Sequence, residues 1–165
     1  MGTTTLIPVE EYLHTSYRPD RDYVDGLVLE RNLGGRSHSK LQKLLTLYFG
    51  TRERELGITV WTEWRVQVKP TRFRVPDVCI VRGPEPEEPI LTSPPYACFE
   101  ILSPEDRLAE MEERVADYLA FGVPYVWIVD PERKKIYRSE AGRRTEVVQI
   151  ETDLFTIGPE ILFPS

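Results

Sequence analysis

The chain has 165 residues, which suits one domain with a substantial core and is too short for two ordinary domains. Its 41% hydrophobic and 29% charged residues are typical of a folded globular protein and exclude a disordered or fibrous one. The formal net charge of -6 excludes a protein that coats nucleic acid through an overall positive field, so any such partner requires a local basic patch. We therefore expect a single domain over residues 1–165.

Cysteine content and hydropathy bear on the cellular compartment. The two cysteines, Cys79 and Cys98, are too few for a disulfide framework and lack the paired spacing of a zinc site. The opening segment, MGTTTLIPVEEYL, carries neither a basic region nor an apolar run, and no apolar stretch approaches the roughly 20 residues that cross a bilayer. These features predict a cytoplasmic protein that does not enter the membrane.

The first part of the chain predicts a hairpin followed by a long helix. Residues 23–30, YVDGLVLE, combine strand-forming residues with Asp25-Gly26, a pair typical of a tight turn. After a glycine-containing connector, we expect Ser37 to cap a helix that runs from about His38 to Leu56. Its leucines recur at the spacing of one apolar face, which predicts that one side of this helix is buried.

Three strand-like runs follow, at Ile58–Val68, Arg74–Val81 and Tyr96–Leu102. The first alternates in hydropathy, as a half-buried strand does. The other two are apolar on both faces, which is typical of central strands in a sheet that is covered on both sides.

A second helix opens at Ser103-Pro104 and ends at Gly122, and it leads directly into a buried strand at Tyr125–Val129. Strands at Lys135–Arg138 and near Val147 are expected to complete the sheet. The order strand, helix, strand predicts a right-handed crossover with some parallel pairing. The predicted fold class is α/β (α+β mixed), with a central mixed β-sheet flanked by helices.

Each of the two apolar strands contains one carboxylate where the pattern calls for an apolar side chain, Asp77 in RVPDVCIV and Glu100 in ACFEIL. A carboxylate among core side chains is unfavourable unless it is hydrogen-bonded, paired or bound to a cation, so two on neighbouring strands indicate a shared partner. Mg²⁺ is a natural one, because it usually binds one or two carboxylates together with water and substrate phosphate. The alternative is that both acids lie at strand ends, in solvent or paired with an arginine.

Pro76-Asp77, followed by Glu100 in a later strand, resembles the PD-(D/E)XK nuclease superfamily. In that superfamily an Asp and an Asp or Glu on strands hold the metal, and a Lys two residues later positions or activates the attacking water. More specifically, the chain is similar to the Uma family of restriction endonucleases, found in cyanobacteria and other bacteria. The matching segments occur in the family's order over nearly the whole chain: VEEYL, YVDG, RSHSKLQKLL, TEWRVQV, RVPDVCIV, FEILSPEDR and ADYLAFGVPYVWIVDP. The resemblance implies a restriction-endonuclease-like core.

The chain departs from the superfamily motif after Glu100. The slot of the motif Lys, two residues later on the same strand face, is occupied by Leu102. In the Uma family a basic residue on the following helix takes its place, and the resemblance assigns that part to Arg114. Arg stays protonated, so it stabilises a phosphate or a hydroxide but does not act as a base. The alternative places Arg114 in solvent or against Glu110 on its own helix.

His38, Glu63 and Lys40 are further candidates. The resemblance places family residues at His38, near the start of the first long helix, and at Glu63, in the strand before the PD motif, where either helps to bind metal or to orient water. The alternatives are a His38 that faces solvent and a Glu63 that is an exposed strand residue. Lys40 is a second candidate for the missing positive charge. A group of basic residues forms either a rim that contacts phosphates or an ordinary solvated face: Lys40, Lys43, Arg52, Arg54, Arg72 and Arg74.

Taken together, the resemblance implies hydrolysis of DNA phosphodiester bonds with Mg²⁺ or Mn²⁺, held by Asp77, Glu100, the backbone carbonyl of Ile101 and, as a further ligand, Glu63. It also implies a homodimer, because cutting two strands needs two sites. Two other functions stay open. One is a nuclease fold without activity that serves as a nucleic-acid-binding or regulatory module, which the absent Lys and the acidic balance favour. The other is a small-molecule enzyme that uses the same acids in a deep, closed pocket.

Overall fold

The computed structural model describes residues 4–32 and 34–165. The helices of these ranges are α1 (Val9–Leu13), α2 (Arg36–Gly50), α3 (Glu53–Leu56), α4 (Leu108–Phe121) and α5 (Pro159–Leu162). The strands of the same ranges are β1 (Asp22–Val24), β2 (Leu27–Leu29), β3 (Ile58–Thr62), β4 (Val66–Lys69), β5 (Arg72–Arg74), β6 (Val78–Arg82), β7 (Ala97–Ile101), β8 (Tyr125–Asp130), β9 (Lys135–Glu140), β10 (Arg143–Val147), β11 (Ile150–Glu151) and β12 (Thr156–Ile157).

Most of these strands belong to two sheets. A six-stranded sheet has the order β10-β9-β8-β7-β6-β3, and a four-stranded sheet has the order β2-β1-β5-β4. In the larger sheet β7 and β8 run parallel, whereas the other neighbouring strands run antiparallel. Helix α4 connects β7 to β8. The predicted parallel pair across a helix is therefore confirmed.

Helices cover both faces of the six-stranded sheet. Helices α2 and α5 pack on one face, and α4 packs on the other together with β4 of the smaller sheet. Each long helix buries apolar residues at helical spacing. These residues are Leu41, Leu45 and Phe49 in α2, and Met111, Val115 and Tyr118 in α4. The predicted class, a central mixed sheet flanked by helices, is confirmed.

The predicted strand Ile58–Val68 is wrong, because two strands of different sheets occupy this segment. Strand β3 pairs with β6 in the larger sheet, whereas β4 pairs with β5 in the smaller one. The break includes Glu63, whose backbone lies in the left-handed region with φ of 51° and whose N–H donates to the carbonyl of Pro76 at 3.2 Å. Hydropathy alternates on both sides of the break because both pieces are half-buried, so the pattern did not reveal it.

Both long helices start at other residues than predicted. Helix α2 begins at Arg36 after Gly35, without a side-chain cap, so Ser37 does not cap it. Helix α4 begins only at Leu108, because the preceding residues form a turn in which Asp106 Oδ2 accepts the N–H of Ser103 at 2.7 Å. Gly122 ends α4 in the left-handed conformation, φ 105°, as predicted.

Cys79 and Cys98 lie opposite each other on β6 and β7 as free, buried thiols. Burial raises the pKa of Cys79 to about 12 and raises the pKa of Cys98 well above its ordinary value. Both side chains therefore belong to the core. Within the described ranges, no helix combines the length and the apolar character that a bilayer crossing requires.

Candidate active site

Asp77 and Glu100 lie beside each other where β6 and β7 pair: Asp77 directly precedes β6, and Glu100 lies within β7. The antiparallel register pairs Val78 with Phe99, so the next position outward sets Asp77 opposite Glu100. Side chains alternate along a strand, and Glu100 lies two residues from Cys98 in β7, so it shares the α4 face of the sheet with that cysteine. Asp77 lies outside the strand, and among the described residues its carboxylate contacts Arg31, His38 of α2 and Ile101. The backbone N–H of Ile101 donates to Asp77 Oδ2 at 2.7 Å, which ties the two strands together at this point.

Asp77 is a buried carboxylate surrounded by donors. Its Oδ1 accepts a hydrogen bond from Arg31 Nη2 at 2.8 Å and lies 3.2 Å from His38 Nε2. Burial raises the pKa of Asp77, but the hydrogen bond from His38 and the charge of Arg31 outweigh burial and hold the pKa below its ordinary value. Asp77 is therefore ionised at neutral pH.

Glu100 is fully buried, with an exposed fraction of 0%. Tyr118 donates its hydroxyl to Oε1 at 2.7 Å, and Arg114 donates Nη1 to Oε2 at 3.1 Å. Burial raises the pKa of Glu100 to about 8, the charge of Arg114 opposes that rise, and the charge of Asp77 adds to it. The two acids therefore differ in protonation near neutral pH, as acid–base sites in enzymes often do.

Arg114 contacts Glu100. Its side chain therefore neither extends into solvent nor pairs with Glu110, the two alternatives left open by the sequence. Its Nε donates to Oδ2 of Asp22 at 3.0 Å, while Nη1 reaches Glu100. The guanidinium therefore bridges a carboxylate of the smaller sheet and a carboxylate of the larger one.

Arg31 is a site residue that sequence reasoning missed. It follows β2, and its Nη1 lies 3.3 Å from Glu63 Oε1 while Nη2 binds Asp77. Its side chain is only 6% exposed, although the segment reads as the polar end of a hairpin. Nε of Arg31 is buried, and it has no hydrogen-bond partner among the residues that the structure describes. The local sequence gives no signal that Arg31 contacts Asp77, because the side chain is buried where the smaller sheet docks on the larger one.

The structure brings His38 and Glu63 to the site and leaves Lys40 outside it. His38 contacts Asp77, and burial lowers its pKa less than the hydrogen bond and charge of Asp77 raise it. Glu63 reaches the site through Arg31, with its side chain 45% exposed. Lys40 is exposed and lines a small cavity of about 130 Å³ together with Lys134 and the C-terminal residues.

Neither alternative, a rim that contacts phosphates or a solvated face, describes the two arginines that precede the PD motif. Arg74 is buried between Asp117, at 2.8 Å, and Asp22, at 3.1 Å. Arg72 binds Asp25 and Asp117, at 2.9 and 3.0 Å. Both guanidinium groups are engaged within the protein, so they do not form a free surface for phosphates.

The acids suit a hard cation by type and placement. Among the described residues, no cluster of three or more His, Cys, Asp or Glu side chains is arranged around a common metal position. Mg²⁺ does not need such a cluster, because it usually keeps several waters and binds one or two carboxylates plus substrate phosphate. The oxygens of Asp77 and Glu100 already accept five protein donors, yet two carboxylates offer about eight lone-pair sites once Glu100 has also lost its proton. The residues therefore fit a magnesium ion that shares these oxygens.

Two cavities in the described part of the chain lie away from these acids. One of about 750 Å³ is lined by residues of β8, β9 and the segment 147–153, and one of about 580 Å³ lies between α4 and the β9–β10 hairpin. Neither is lined by Asp77 or Glu100. The pair of acids is therefore not part of either cavity.

Comparison with known proteins covers nearly the whole chain. Residues 9–163 match the family model Uma2, described as "Putative restriction endonuclease". No curated protein matches the chain. Among solved structures, the fold is similar to that of "a putative nuclease belonging to DUF820" from Anabaena variabilis, with 17% identity and a TM-score of 0.82 over 95% of this chain and 97% of that chain. The chain therefore belongs to the Uma2 family of "putative restriction endonucleases", and it has the fold of that nuclease.

Proposed function

We propose that the protein is a metal-dependent endonuclease that hydrolyses phosphodiester bonds of DNA. One observation carries the proposal: Asp77 and Glu100 lie beside each other where β6 and β7 pair, joined by the bond from the N–H of Ile101 to Asp77, at the positions that match the family's motif. Family membership supports nuclease chemistry in general. The metal and the DNA substrate are the parts that we add.

The ligands for Mg²⁺ or Mn²⁺ are the carboxylates of Asp77 and Glu100 and the backbone carbonyl of Ile101. Glu63 is a further ligand from the rim of the site. When bound, such a cation lowers the pKa of a water and neutralises charge on the scissile phosphate. The resting contacts of Asp77 with Arg31 and His38 hold its carboxylate ionised and oriented before the cation arrives.

Two arginines replace the motif Lys, whose position is Leu102. Arg114 and Arg31 each bring a fixed positive charge to one of the acids, at 3.1 and 2.8 Å. Neither acts as a base, because a guanidinium does not lose its proton in proteins. They stabilise negative charge on the phosphate instead. His38 remains the candidate for proton transfer, and Lys40, on the surface, contacts the DNA backbone outside the reacting atoms.

The working form that we propose is a homodimer, because cleavage of both strands of a duplex needs two sites. Light scattering of the purified protein, with and without a short duplex, tests this part. A molar mass that corresponds to one protein chain, both without DNA and in the complex with the duplex, contradicts the homodimer.

Plasmid cleavage tests the nuclease proposal. We expect supercoiled plasmid to be nicked or linearised with Mg²⁺ or Mn²⁺ and to stay intact with EDTA. Asp77→Ala and Glu100→Ala are expected to abolish cleavage, because each removes a metal ligand. Glu110→Ala is the matched control, since Glu110 is an exposed acid on α4 away from both ligands. Intact plasmid with clean wild-type protein and both metals contradicts the proposal.

The second candidate is a nuclease fold that binds nucleic acid without cutting it. The observation in its favour is Leu102 in the Lys position, together with the arginines that already occupy oxygens of both acids. This candidate predicts a shift of labelled duplex in a gel, with no product in any metal. Cleavage by wild-type protein that is lost in Asp77→Ala excludes it.

A further inference from the structure

Asp22 is a buried acid that the cleavage chemistry does not use directly. It begins β1 in the smaller sheet, and its residue is 1% exposed. Its Oδ1 accepts the backbone N–H of Val75 at 3.0 Å. Its Oδ2 accepts Arg74 Nη1 at 3.1 Å and Arg114 Nε at 3.0 Å. Three donors thus hold this carboxylate in one orientation.

The contact with Nε defines how Arg114 meets Glu100. A single bond from Nη1 to Glu100 leaves the long side chain free to rotate about its own axis. A second bond from Nε to Asp22 fixes the plane of the guanidinium, because the donors of Arg form a rigid fork. Arg114 is only 15% exposed, so water does not readily replace either bond.

The same carboxylate belongs to a chain of alternating charges. Asp22 binds Arg74, and Arg74 binds Asp117 on α4 through Nε at 2.8 Å. Asp117 is three residues along α4 from Arg114 and does not contact it among the described residues. These ion pairs therefore hold α4 at two residues, Asp117 and Arg114. Of the two acids, Asp22 is the one that contacts Arg114, which in turn contacts Glu100.

We propose that Asp22 is a positioning residue, which holds the guanidinium of Arg114 against Glu100 through the Nε contact. This role rests on the proposed nuclease function, and it deepens that function by assigning a residue of the smaller sheet to the site. Groups that orient the residues of a metal site usually matter about 10–100-fold in affinity or activity. A buried ion pair by itself is weak support for stability, so an orienting role explains why three charged groups meet here.

Asp22→Asn tests the proposal, because it preserves the shape of the side chain and removes its charge. Asp117→Asn is the matched control: it is equally buried and also binds Arg74, but it does not contact Arg114. The first measurement is a ¹⁵N–¹H spectrum of arginine side chains without metal. The Nε–Hε signal of Arg114 is assigned by its loss in Arg114→Lys. We expect Asp22→Asn to move this signal and to accelerate its exchange with water, and Asp117→Asn to leave it in place.

The second measurement is the cleavage of plasmid DNA with Mg²⁺. We expect Asp22→Asn to lower kcat about 10–100-fold with KM nearly unchanged, because the orientation of Arg114 and not the binding of DNA is lost. Asp117→Asn is expected to keep kcat. Equal effects of the two variants on the signal and on kcat overturn the proposal, since a purely structural ion pair moves both alike.

The spectra separate this proposal from the nuclease proposal. If wild-type protein does not cut DNA but the Arg114 signal moves only in Asp22→Asn, the positioning contact is supported and the nuclease function fails. Arg114→Lys covers the case in which Asp22→Asn does not fold. It keeps the charge, but one ammonium does not reproduce the paired Nε and Nη1 donors. Full kcat in this variant overturns the role of the Asp22 contact.

Discussion

Arg31 donates a hydrogen bond of 2.8 Å from Nη2 to Oδ1 of Asp77, although the two residues lie 46 positions apart. Both side chains are almost fully buried, with exposed fractions of 6% and 5%. An ion pair in such a place depends on both partners, because either one alone is a buried, uncompensated charge.

Removal of Arg31 is therefore expected to destabilise the fold. Arg31→Ala should lower the free energy of unfolding by about 3–5 kcal/mol, as the loss of one partner of a buried pair does. Urea unfolding without metal measures this loss. Arg21→Ala is the control, since Arg21 pairs with Glu30 at the exposed surface and its loss should cost less than about 1 kcal/mol. Equal losses in the two variants contradict the prediction.

Gly34 leaves room for the ring of His38, which contacts Asp77. A Cβ atom on Gly34 would lie 2.4 Å from Cγ and from Nδ1 of His38. Gly34→Ala should push the ring away from Asp77, whose hydrogen bond and charge raise the pKa of His38 above its ordinary value. We expect that pKa to fall, as measured by NMR titration of the ring protons.

Gly35→Ala is the control for this titration, because a Cβ on Gly35 meets no atom within 4 Å. His14→Gln assigns the signals, since the chain has two histidines. The same pKa for His38 in wild-type protein and in Gly34→Ala would refute the prediction.

Glu100 should make stability depend on pH. Its pKa rises from 4.5 in the reference state to about 8 in the fold, so between these values the folded protein binds a proton that the unfolded chain has lost. The contribution of this proton uptake to the free energy of unfolding is fully present below pH 4.5 and is lost as pH rises through about 8. The free energy of unfolding should therefore fall with rising pH, by at most about 1.4 kcal/mol per pH unit from this group.

Glu100→Gln should remove that part of the slope. Urea unfolding of both proteins at several pH values between 5 and 8, without divalent metal, gives the difference. His38 adds a slope of the same sign to both proteins, so it cancels in the comparison. Parallel curves for wild-type protein and Glu100→Gln show that Glu100 does not titrate in this range.

The two thiols should be silent until the protein unfolds. Cys79 and Cys98 are fully buried, and burial raises the pKa of both. Since the thiolate is the reactive form, a thiol reagent should modify neither cysteine in the native state and both in denaturant. Rapid modification of native protein contradicts their placement in the core.

The sequence identified Asp77 and Glu100 as candidate site residues because burial of a carboxylate is unfavourable without a partner. Asp77 and Glu100 interrupt apolar runs of the sequence, so a local pattern indicates that they have partners. The segment from β6 to β8 was predictable for the same reason, since its strands are long apolar runs and α4 has a clear buried stripe. The predicted strand Arg74–Val81 was nevertheless wrong at its start, because β5 ends at Arg74 and Asp77 precedes β6.

The partners of these acids were less accessible to sequence reasoning. Arg31 and Asp22 lie in or beside short strands of a small hairpin, where charged residues normally face solvent. They are buried only because the smaller sheet docks on the larger one. The left-handed backbone at Glu63, where the chain passes between sheets, likewise has no signature in an alternating run.

The bridge from Asp22 through Arg114 to Glu100 joins residues that are 92 positions apart in the chain. Any contiguous fragment that contains the bridge must therefore include residues 22–114. A fragment that keeps only the N-terminal half of the chain lacks Arg114 and Glu100, and one that keeps only the C-terminal half lacks Asp22. The bridge is thus a property of the fully assembled molecule, and it should be among the last features to form as the chain folds.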